Sequence, residues 1–292
     1  MRPRPRQTRA VVVPSTPPHE FPPLFALERD RLLKMLRSLG PTDWRRPTPC
    51  PGWDVLGLCV HLLGGDLSLL SWQRDDHCGT IAPDGLDEPG FIGWLDALQV
   101  EWVHAARRLS PRIVVDLLAW TGDQLGSTVA ARDTSARIAS VSWAGTEPVP
   151  VWLDHGRELS ERWIHRQQLR QALGHADDLR SDLLVPVLDT FRWAFPYRLD
   201  PIRRDAGATV TLTVSGLDDE LKWSLVSDGD AWDFGAEDDD HTAAHLRLTT
   251  EQAWRLLTNN FDVTVHGEVA CIGDPGLIDV LMRTRAIIGT PK

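Results

Sequence analysis

Two hydrophobic periodicities divide this sequence and constrain its fold more than any other feature. Up to about residue 174, apolar residues recur every three to four positions, which is the spacing of amphipathic α-helices. After about residue 195, short segments of β-branched and aromatic residues alternate with polar ones, as in half-buried strands. The sequence therefore predicts an α+β fold, with a helical N-terminal domain followed by a smaller domain that contains a sheet.

Three regions follow from this pattern. Residues 1–22 are rich in proline and are predicted to be a flexible N-terminal extension. The helical domain is predicted at 23–180 and the α+β domain at 181–292. The predicted helices are at about 24–39, 54–74, 88–109, 151–173, 183–195, 250–257 and 275–288, and the predicted strands are at 209–214, 221–226, 245–248 and 263–265.

The residues best suited to hold a metal ion lie far apart in the sequence. Glu161 and His165 are four positions apart on a predicted helix, so their side chains lie on one face and can share an ion. His61 is the best third ligand, because it sits in the apolar stretch 55–63, where an unpaired polar ring would be costly to bury. Two histidines and one glutamate leave coordination positions open, as in catalytic zinc sites.

Each of these signals has a simpler interpretation when taken alone. An E-x-x-x-H pair is usually a solvated contact, and a buried histidine is usually hydrogen-bonded within the core. Geometry also leaves Glu158 open as the ligand in place of Glu161, because it lies on nearly the same stripe.

Trp53 is predicted either to line a pocket or to form a hydrophobic staple. Cys50 has no histidine at motif spacing to activate it, so it is predicted to be a small buried filler.

Two segments resemble a known family. The stretch W-R-R-P-T-P-C-P-G-W-D-V at 44–55, followed by H-L-L-G at 61–64, resembles the N-terminal signature of the mycothiol-dependent maleylpyruvate isomerase family. V-S-W-A-G at 141–145 and R-E-L-S-E-R-W-I-H at 157–165 resemble its metal-binding fourth helix. The resemblance implies a DinB-like four-helix bundle, a C-terminal sterol-carrier-like (SCP2-like) α+β domain, and the metal ligands His61, Glu161 and His165.

The resemblance also implies an activity. It indicates an enzyme with a divalent metal, most simply zinc, that uses mycothiol as a thiol cosubstrate for isomerisation or thiol transfer on a small electrophile. The alternatives are a hydrolase with zinc-bound water and a non-catalytic binding protein that the metal stabilises. Gln168 stands where family members commonly carry an aspartate, and the stretch L-L-T-N-N at 256–260 lacks an arginine often found there. These departures favour a substrate less anionic than a dicarboxylate.

Composition restricts the partners of the chain. Its formal charge of −10, with no basic stripe beyond the first nine residues, argues against nucleic acid. The apolar runs are shorter than a membrane span, and four scattered cysteines without a C-x-x-C pair predict a cytoplasmic protein. We expect a monomer or homodimer whose partners are a small-molecule substrate and a thiol. The acidic run at 237–241 is predicted to be a solvated turn and not a calcium loop.

Overall fold

The computed structural model describes residues 11–236 and 241–287, and its contacts group the chain into two compact units. The helical unit contains Pro18–Thr134 and His155–Asp178. The α+β unit contains Ser135–Asp154 and Leu179–Lys292, together with Met1–Pro17, as far as these ranges are described. The α+β fold class with an N-terminal helical region and a C-terminal sheet, as predicted, is thus confirmed.

Among the described residues, five long helices lie wholly or mainly in the helical unit. Three of them begin with a capping residue, Asp54, Asp87 or Ser110, whose side chain accepts a hydrogen bond from a backbone N–H in the first turn, and such caps stabilise helix starts. After its last regular turn, the second helix continues through a π-helical turn, Leu70–Arg74. The helices are α1 Phe21–Leu36, α2 Val55–Leu69, α3 Glu88–Ala106, α4 Pro111–Ala131 and α5 Val151–Ala172.

No helix was predicted over the residues of α4, and this omission was wrong. Pro111 follows the Ser110 cap at a position where a helix tolerates proline, and the helix buries Val114, Leu118 and Leu125 against α1 and α2. Gly122 and Gly126 hide this pattern, because glycine is a poor helix former. Gly122 is needed for packing, since a Cβ atom there would lie 2.6 Å from Cγ of the Arg29 side chain. The helix that carries Glu161 is therefore the fifth and not the fourth.

A network of buried charges lies inside the helical unit. Asp66 on α2 is fully buried and accepts hydrogen bonds from Arg29 on α1 at 2.6 Å, from Arg162 on α5 at 2.9 Å and from the Thr121 hydroxyl on α4 at 2.6 Å. One carboxylate thus joins four helices. Burying these charges is tolerable because both oxygens of Asp66 are satisfied by charged or hydroxyl donors. The sequence analysis did not anticipate this network.

A second buried titratable group, His155, packs near the start of α5. Its side chain is 1% exposed, it lies against the edges of Phe21 and Phe25, and neither ring nitrogen has a hydrogen-bond partner in the described chain. Burial, with a smaller contribution from Arg132, lowers the pKa of His155 to about 4, and Glu158 opposes this shift only partly. His155 is therefore neutral in the folded protein near neutral pH.

This burial predicts a pH-dependent loss of stability. The unfolded chain binds a proton at His155 below its ordinary pKa of 6.5, whereas the folded chain resists protonation down to about 4. The contribution of His155 to the free energy of unfolding is therefore intact above pH 6.5 and is lost as the pH falls towards 4. The free energy of unfolding should fall by about 2 to 3 kcal/mol between pH 6.5 and pH 4, since each pH unit between the two pKa values is worth about 1.4 kcal/mol.

Denaturant unfolding at pH 7.5 and pH 4.5 measures this loss in the wild type and in His155→Phe. Phenylalanine matches the apolar surroundings and carries no titratable group, so the variant should lose less stability between the two pH values. Carboxylates that titrate in the same range affect both proteins equally. An identical loss in the two proteins would show that His155 is not the group responsible.

The α+β unit is built around a five-stranded sheet. The strand order is β5-β4-β3-β6-β7, with β3 and β6 parallel and the other neighbours antiparallel. The two remaining strands, β1 and β2, form a separate antiparallel pair. The strands are β1 Arg137–Ile138, β2 Val149–Pro150, β3 Thr209–Ser215, β4 Leu221–Ser227, β5 Trp232–Phe234, β6 Thr242–Thr249 and β7 Ala270–Gly273.

The helices of this unit differ from the prediction in three places. Residues 263–265 were predicted to form a strand, but they lie in a short helix whose first turn is fixed by the Asp262 side chain accepting from the N–H of Thr264. The predicted helix at 183–195 is divided in two, and the last helix ends at Arg283. The acidic run at 237–241 lies almost entirely outside the described residues. The helices are α6 Ser181–Phe191, α7 Ala194–Leu199, α8 Thr250–Leu257, α9 Val263–His266 and α10 Pro275–Arg283.

One helical stretch is long and apolar enough to cross a membrane by length and composition, contrary to the expectation from apolar run length. It is Val55–Arg74, which comprises α2 and the π-helical turn. Its most apolar window is 61% buried inside the protein, as is usual for the core helix of a bundle. Because most of this window is buried, its apolar surface serves the packing of the helical unit. The same helix also carries His61 and Asp66.

Candidate metal centre

The structure brings together the three residues that were predicted to bind a metal. His61 comes from α2, while Glu161 and His165 come from successive turns of α5. Oε1 of Glu161 lies 3.2 Å from Nε2 of His61 and 2.9 Å from Nε2 of His165. The three side chains offer one ligand atom each within 4.8 Å of one another, so a single ion can be shared among them. This is the donor set of an open zinc site, and the residues fit such an ion.

Glu158, which helix geometry had left open as the ligand, lies elsewhere. Its carboxylate accepts hydrogen bonds from Arg157 at 2.6 Å and from Arg162 at 2.7 Å, and it is not part of the three-residue group. Burial raises the pKa of Glu158, but the two arginines outweigh burial and keep it below its ordinary value. Glu158 is therefore a structural carboxylate that holds Arg162 in the buried network.

Two glutamines orient the imidazole rings, and neither was assigned this role from the sequence. The Nδ1–H of His61 donates to Oε1 of Gln99 at 3.0 Å, and the Nδ1–H of His165 donates to Oε1 of Gln168 at 2.7 Å. An amide oxygen only accepts, so it selects the tautomer whose Nδ1 is protonated and leaves the Nε2 lone pair for a metal. Gln168 was noticed only as a departure from the family, and nothing in the sequence pointed to Gln99.

The cysteine prediction was wrong in one respect, because the fold supplies the histidine that the sequence spacing did not. The Cys50 thiol donates to Oε1 of Gln168 at 3.0 Å, and its Sγ lies 3.9 Å from Nδ1 of His165. Cys50 and the candidate ligand His165 therefore donate to the same acceptor, Oε1 of Gln168. Trp53 lines the same site, since its ring centre lies 4.7 Å from that of His61. Of the two roles predicted for Trp53, pocket lining is the one that this contact supports.

The electrostatics of the site favour a charged carboxylate. Burial raises the pKa of Glu161, but His165 and His61 outweigh it and hold that pKa well below its ordinary value. Burial lowers the pKa of His165, yet Glu161, with a smaller contribution from Cys50, raises it well above its ordinary value. A metal ion must displace the proton from Nε2 of His165, so metal affinity should fall as the pH falls. The Glu161 side chain is 44% exposed, so the site is open to small molecules.

Comparison with known proteins identifies the family. A family model, described as the mycothiol maleylpyruvate isomerase N-terminal domain, matches residues 25–170, which is half of the chain. The chain belongs to this family. The matched range includes His61, Glu161 and His165 as well as the two glutamines.

Two solved structures of the mycothiol-dependent maleylpyruvate isomerase are similar in fold. One is described by that name alone, with 13% sequence identity and a TM-score of 0.51, and it aligns over 86% of this chain and 91% of its own. The other is a His-to-Ala mutant of the same enzyme, with 12% identity and the same TM-score and coverage. No curated protein matches the chain. At this identity the likeness supports the fold alone.

The glutamines give a prediction about metal affinity. Gln99→Leu and Gln168→Leu should each weaken zinc binding by about 10- to 100-fold, because removal of the partner that orients a ligating imidazole has this effect in other metal sites. Competition with a chromogenic chelator measures the affinity. Gln124→Leu is the matched control, since the Gln124 amide oxygen accepts from the exposed Arg74. An affinity equal to that of the wild type in both test variants would contradict the role assigned to the amides.

Proposed function

We propose that this chain is a metal-dependent enzyme that uses a low-molecular-weight thiol, mycothiol, to isomerise a small electrophilic substrate or to transfer the thiol to it. The observation that carries this proposal is the convergence of His61, Glu161 and His165 at an accessible position. Membership of the isomerase family supports the same reaction class. Zinc is the metal that best suits two imidazoles and one carboxylate.

The metal would be held by the Nε2 atoms of His61 and His165 and by the Glu161 carboxylate. When bound, it would lower the pKa of a nearby thiol so that the thiolate forms near neutral pH. Gln99 and Gln168 would hold the imidazoles in place, and Trp53 would form one wall of the site. The Cys50 thiol would remain a hydrogen-bond donor to Gln168 and not a nucleophile.

The reaction is a conjugate addition of the thiolate. A carbon–sulfur bond forms at one carbon of the substrate double bond, and the electron pair moves to the neighbouring electron-withdrawing group. For an isomerase, rotation about the resulting single bond and expulsion of the thiolate give the other geometric isomer. For a transferase, protonation of the carbanion leaves the thiol attached.

Substrate charge is the property that separates this chain from an isomerase of dicarboxylates. Within the part of the chain that the structure describes, the side chains that reach the three candidate ligands by polar contact or ring packing, apart from the ligands themselves, are the neutral Gln99, Gln168, Cys50 and Trp53. Among the described residues, no arginine or lysine is hydrogen-bonded or ion-paired to His61, Glu161 or His165. Buried carboxylates need such a partner, so we propose a substrate with fewer negative charges than maleylpyruvate.

An assay of the zinc-loaded protein tests this proposal. We expect turnover of a neutral cis-enone in the presence of mycothiol, no turnover without a thiol, and weak or absent turnover of maleylpyruvate. Turnover of the enone without any thiol would overturn the proposed function, and thiol-independent cleavage of an ester would support the hydrolase alternative. Efficient isomerisation of maleylpyruvate would contradict the substrate preference while leaving the thiol mechanism in place.

The remaining expectations belong to the same proposal. We propose functional domains at 23–180 and 181–292. Of the predicted extension at 1–22, residues 1–10 lie outside the described residues, and the described part is not a flexible segment, because Val13 is buried, the Pro14 carbonyl accepts a hydrogen bond from Trp152 and α1 begins at Phe21. We propose a cytoplasmic monomer or homodimer that binds a small substrate and a thiol and has neither a nucleic-acid nor a membrane partner. Family membership and the burial of the most apolar helical stretch support this setting.

A further inference from the structure

A second concave site lies in the helical unit, and the metal centre does not use it. It is a cavity of about 780 Å³ between the end of α1, the 3₁₀ turn Asp43–Arg45, the start of α2, the chain after α3 and the start of α4. This volume is in the range of small-molecule binding sites. None of the residues that line it belongs to the metal centre or contacts a candidate ligand there.

The floor of this cavity is apolar. Its residues are 1–8% exposed, and all of them belong to one hydrophobic cluster of the helical unit. The floor therefore offers a small apolar surface, at the edge of the core, to an aliphatic or aromatic group. The floor residues are Leu36, Trp44, Leu56 and Val115.

The rim of the cavity is strongly basic. Five arginines surround the apolar floor, against a single carboxylate from Asp116, although the whole chain carries 31 basic and 41 acidic residues. In the described chain, the guanidinium groups of Arg37 and Arg107 have no ion-pair or hydrogen-bond partner. Arg45 and Arg112 make only long contacts with carboxylates, at 3.5 and 3.9 Å. The rim arginines are Arg37, Arg45, Arg107, Arg108 and Arg112.

From this juxtaposition we propose a second ligand site, which binds a small amphipathic anion: an acyl or aryl group that ends in a phosphate or carboxylate. The apolar part lies on the floor at Trp44 and Leu56, and the anionic group lies at the rim between Arg37 and Arg107. Arginine suits this role because its planar guanidinium donates two parallel hydrogen bonds to a phosphate or carboxylate. We expect tight binding only when the ligand carries both the apolar group and the anionic group, because neither the guanidinium groups nor the apolar floor selects a ligand alone.

Isothermal titration calorimetry with octyl phosphate tests the proposal, with inorganic phosphate and octanol as half-ligands. We expect octyl phosphate to bind one site per chain at least about tenfold more tightly than either half-ligand. The double variant Arg37→Gln/Arg107→Gln should bind it about tenfold more weakly or worse. The control Arg198→Gln/Arg247→Gln removes the same charge from exposed positions outside the cavity and should bind as the wild type does.

The titration is done on metal-free and on zinc-loaded protein, because the proposed site is independent of the metal centre. Equal affinity in the two forms supports the second site even if the proposed enzymatic activity fails. The proposal of a second site would be overturned if octyl phosphate binds only to the zinc-loaded protein. It would also be overturned if the two double variants bind octyl phosphate equally well. Binding to anionic phospholipid vesicles but not to octyl phosphate would assign the surface to membranes instead. A third outcome is that the wild type does not bind octyl phosphate but self-associates in a salt-sensitive way, and that the Arg37→Gln/Arg107→Gln variant does not self-associate. This outcome would mean that the basic surface binds a second copy of the chain.

Discussion

Glu161→Gln is expected to weaken zinc binding by more than about 100-fold, whereas Glu158→Gln should bind zinc nearly as well as the wild type. The reason is geometric: Oε1 of Glu161 lies within 3.2 Å of both imidazole Nε2 atoms, while the Glu158 carboxylate is engaged by Arg157 and Arg162. Loss of a ligating charge costs more than loss of an orienting partner, for which about 10- to 100-fold is usual. Metal affinity and metal content per chain are the measurements.

Glu158→Gln is a matched control because it makes the same chemical change one turn earlier on α5. It should reduce stability instead of metal affinity, since it weakens the side-chain hydrogen bonds that the Glu158 carboxylate accepts from Arg162 and Arg157. The double variant His61→Ala/His165→Ala extends the test and should hold essentially no metal, against about one ion per chain in the wild type. Equal loss of affinity in the two glutamine variants would mean that both carboxylates share the ion. If the metal content is unchanged in the double histidine variant, these residues do not form the metal site.

The second large effect concerns stability. Asp66→Ala should lower the free energy of unfolding by about 3 to 5 kcal/mol, because it leaves Arg29 and Arg162 buried without the carboxylate that both contact. Chemical denaturation monitored by circular dichroism measures this loss. The effect should be large because α1, α4 and α5 each place a partner on this one carboxylate of α2.

Asp75→Ala is the control for this experiment. Asp75 also pairs with an arginine, Arg74 at 2.8 Å, but both side chains are exposed to solvent. Exposed pairs contribute about 0 to 1 kcal/mol, so the control should unfold close to the wild type. A small loss in Asp66→Ala, comparable with that of the control, would mean that the surrounding helices rearrange or admit water around the two arginines.

Periodicity in the sequence predicted most of the fold but did not reveal how its helices pack. The helix that carries His61 and the helix that carries Glu161 and His165 were both predicted, because their apolar stripes are continuous. Helix α4 was missed because glycines interrupt its pattern, and the reason for Gly122 is a close contact with Arg29 that only the folded chain contains. The strand predicted at 263–265 failed for a local reason, since the Asp262 side chain accepts a hydrogen bond from the N–H of Thr264 and so fixes a helical turn over β-branched residues.

The candidate site was predictable to the extent that its residues carry a motif. His61, Glu161 and His165 were identified by resemblance and by helical spacing, and the fold brings them together. Gln99 was not predictable, because it comes from a third helix and has no fixed spacing from His61. Cys50 was misjudged for the same reason: its neighbour His165 is 115 positions away in the chain. Contacts between distant segments depend on helix packing, which periodicity alone does not determine.

The separation between α2 and α3 depends on a residue that has no side chain. A Cβ atom on Gly64 would collide with the indole of Trp102, whose N–H donates to the Val60 carbonyl at 2.8 Å. Gly64 lies one turn after His61 on α2, and Trp102 lies one turn after Gln99 on α3. A larger residue at position 64 would therefore push Gln99 away from His61 and free the imidazole to rotate. Gly64 acts as a spacer for the candidate metal centre, so a variant at this position would reproduce the loss of the Gln99 amide while all three candidate ligands are still present.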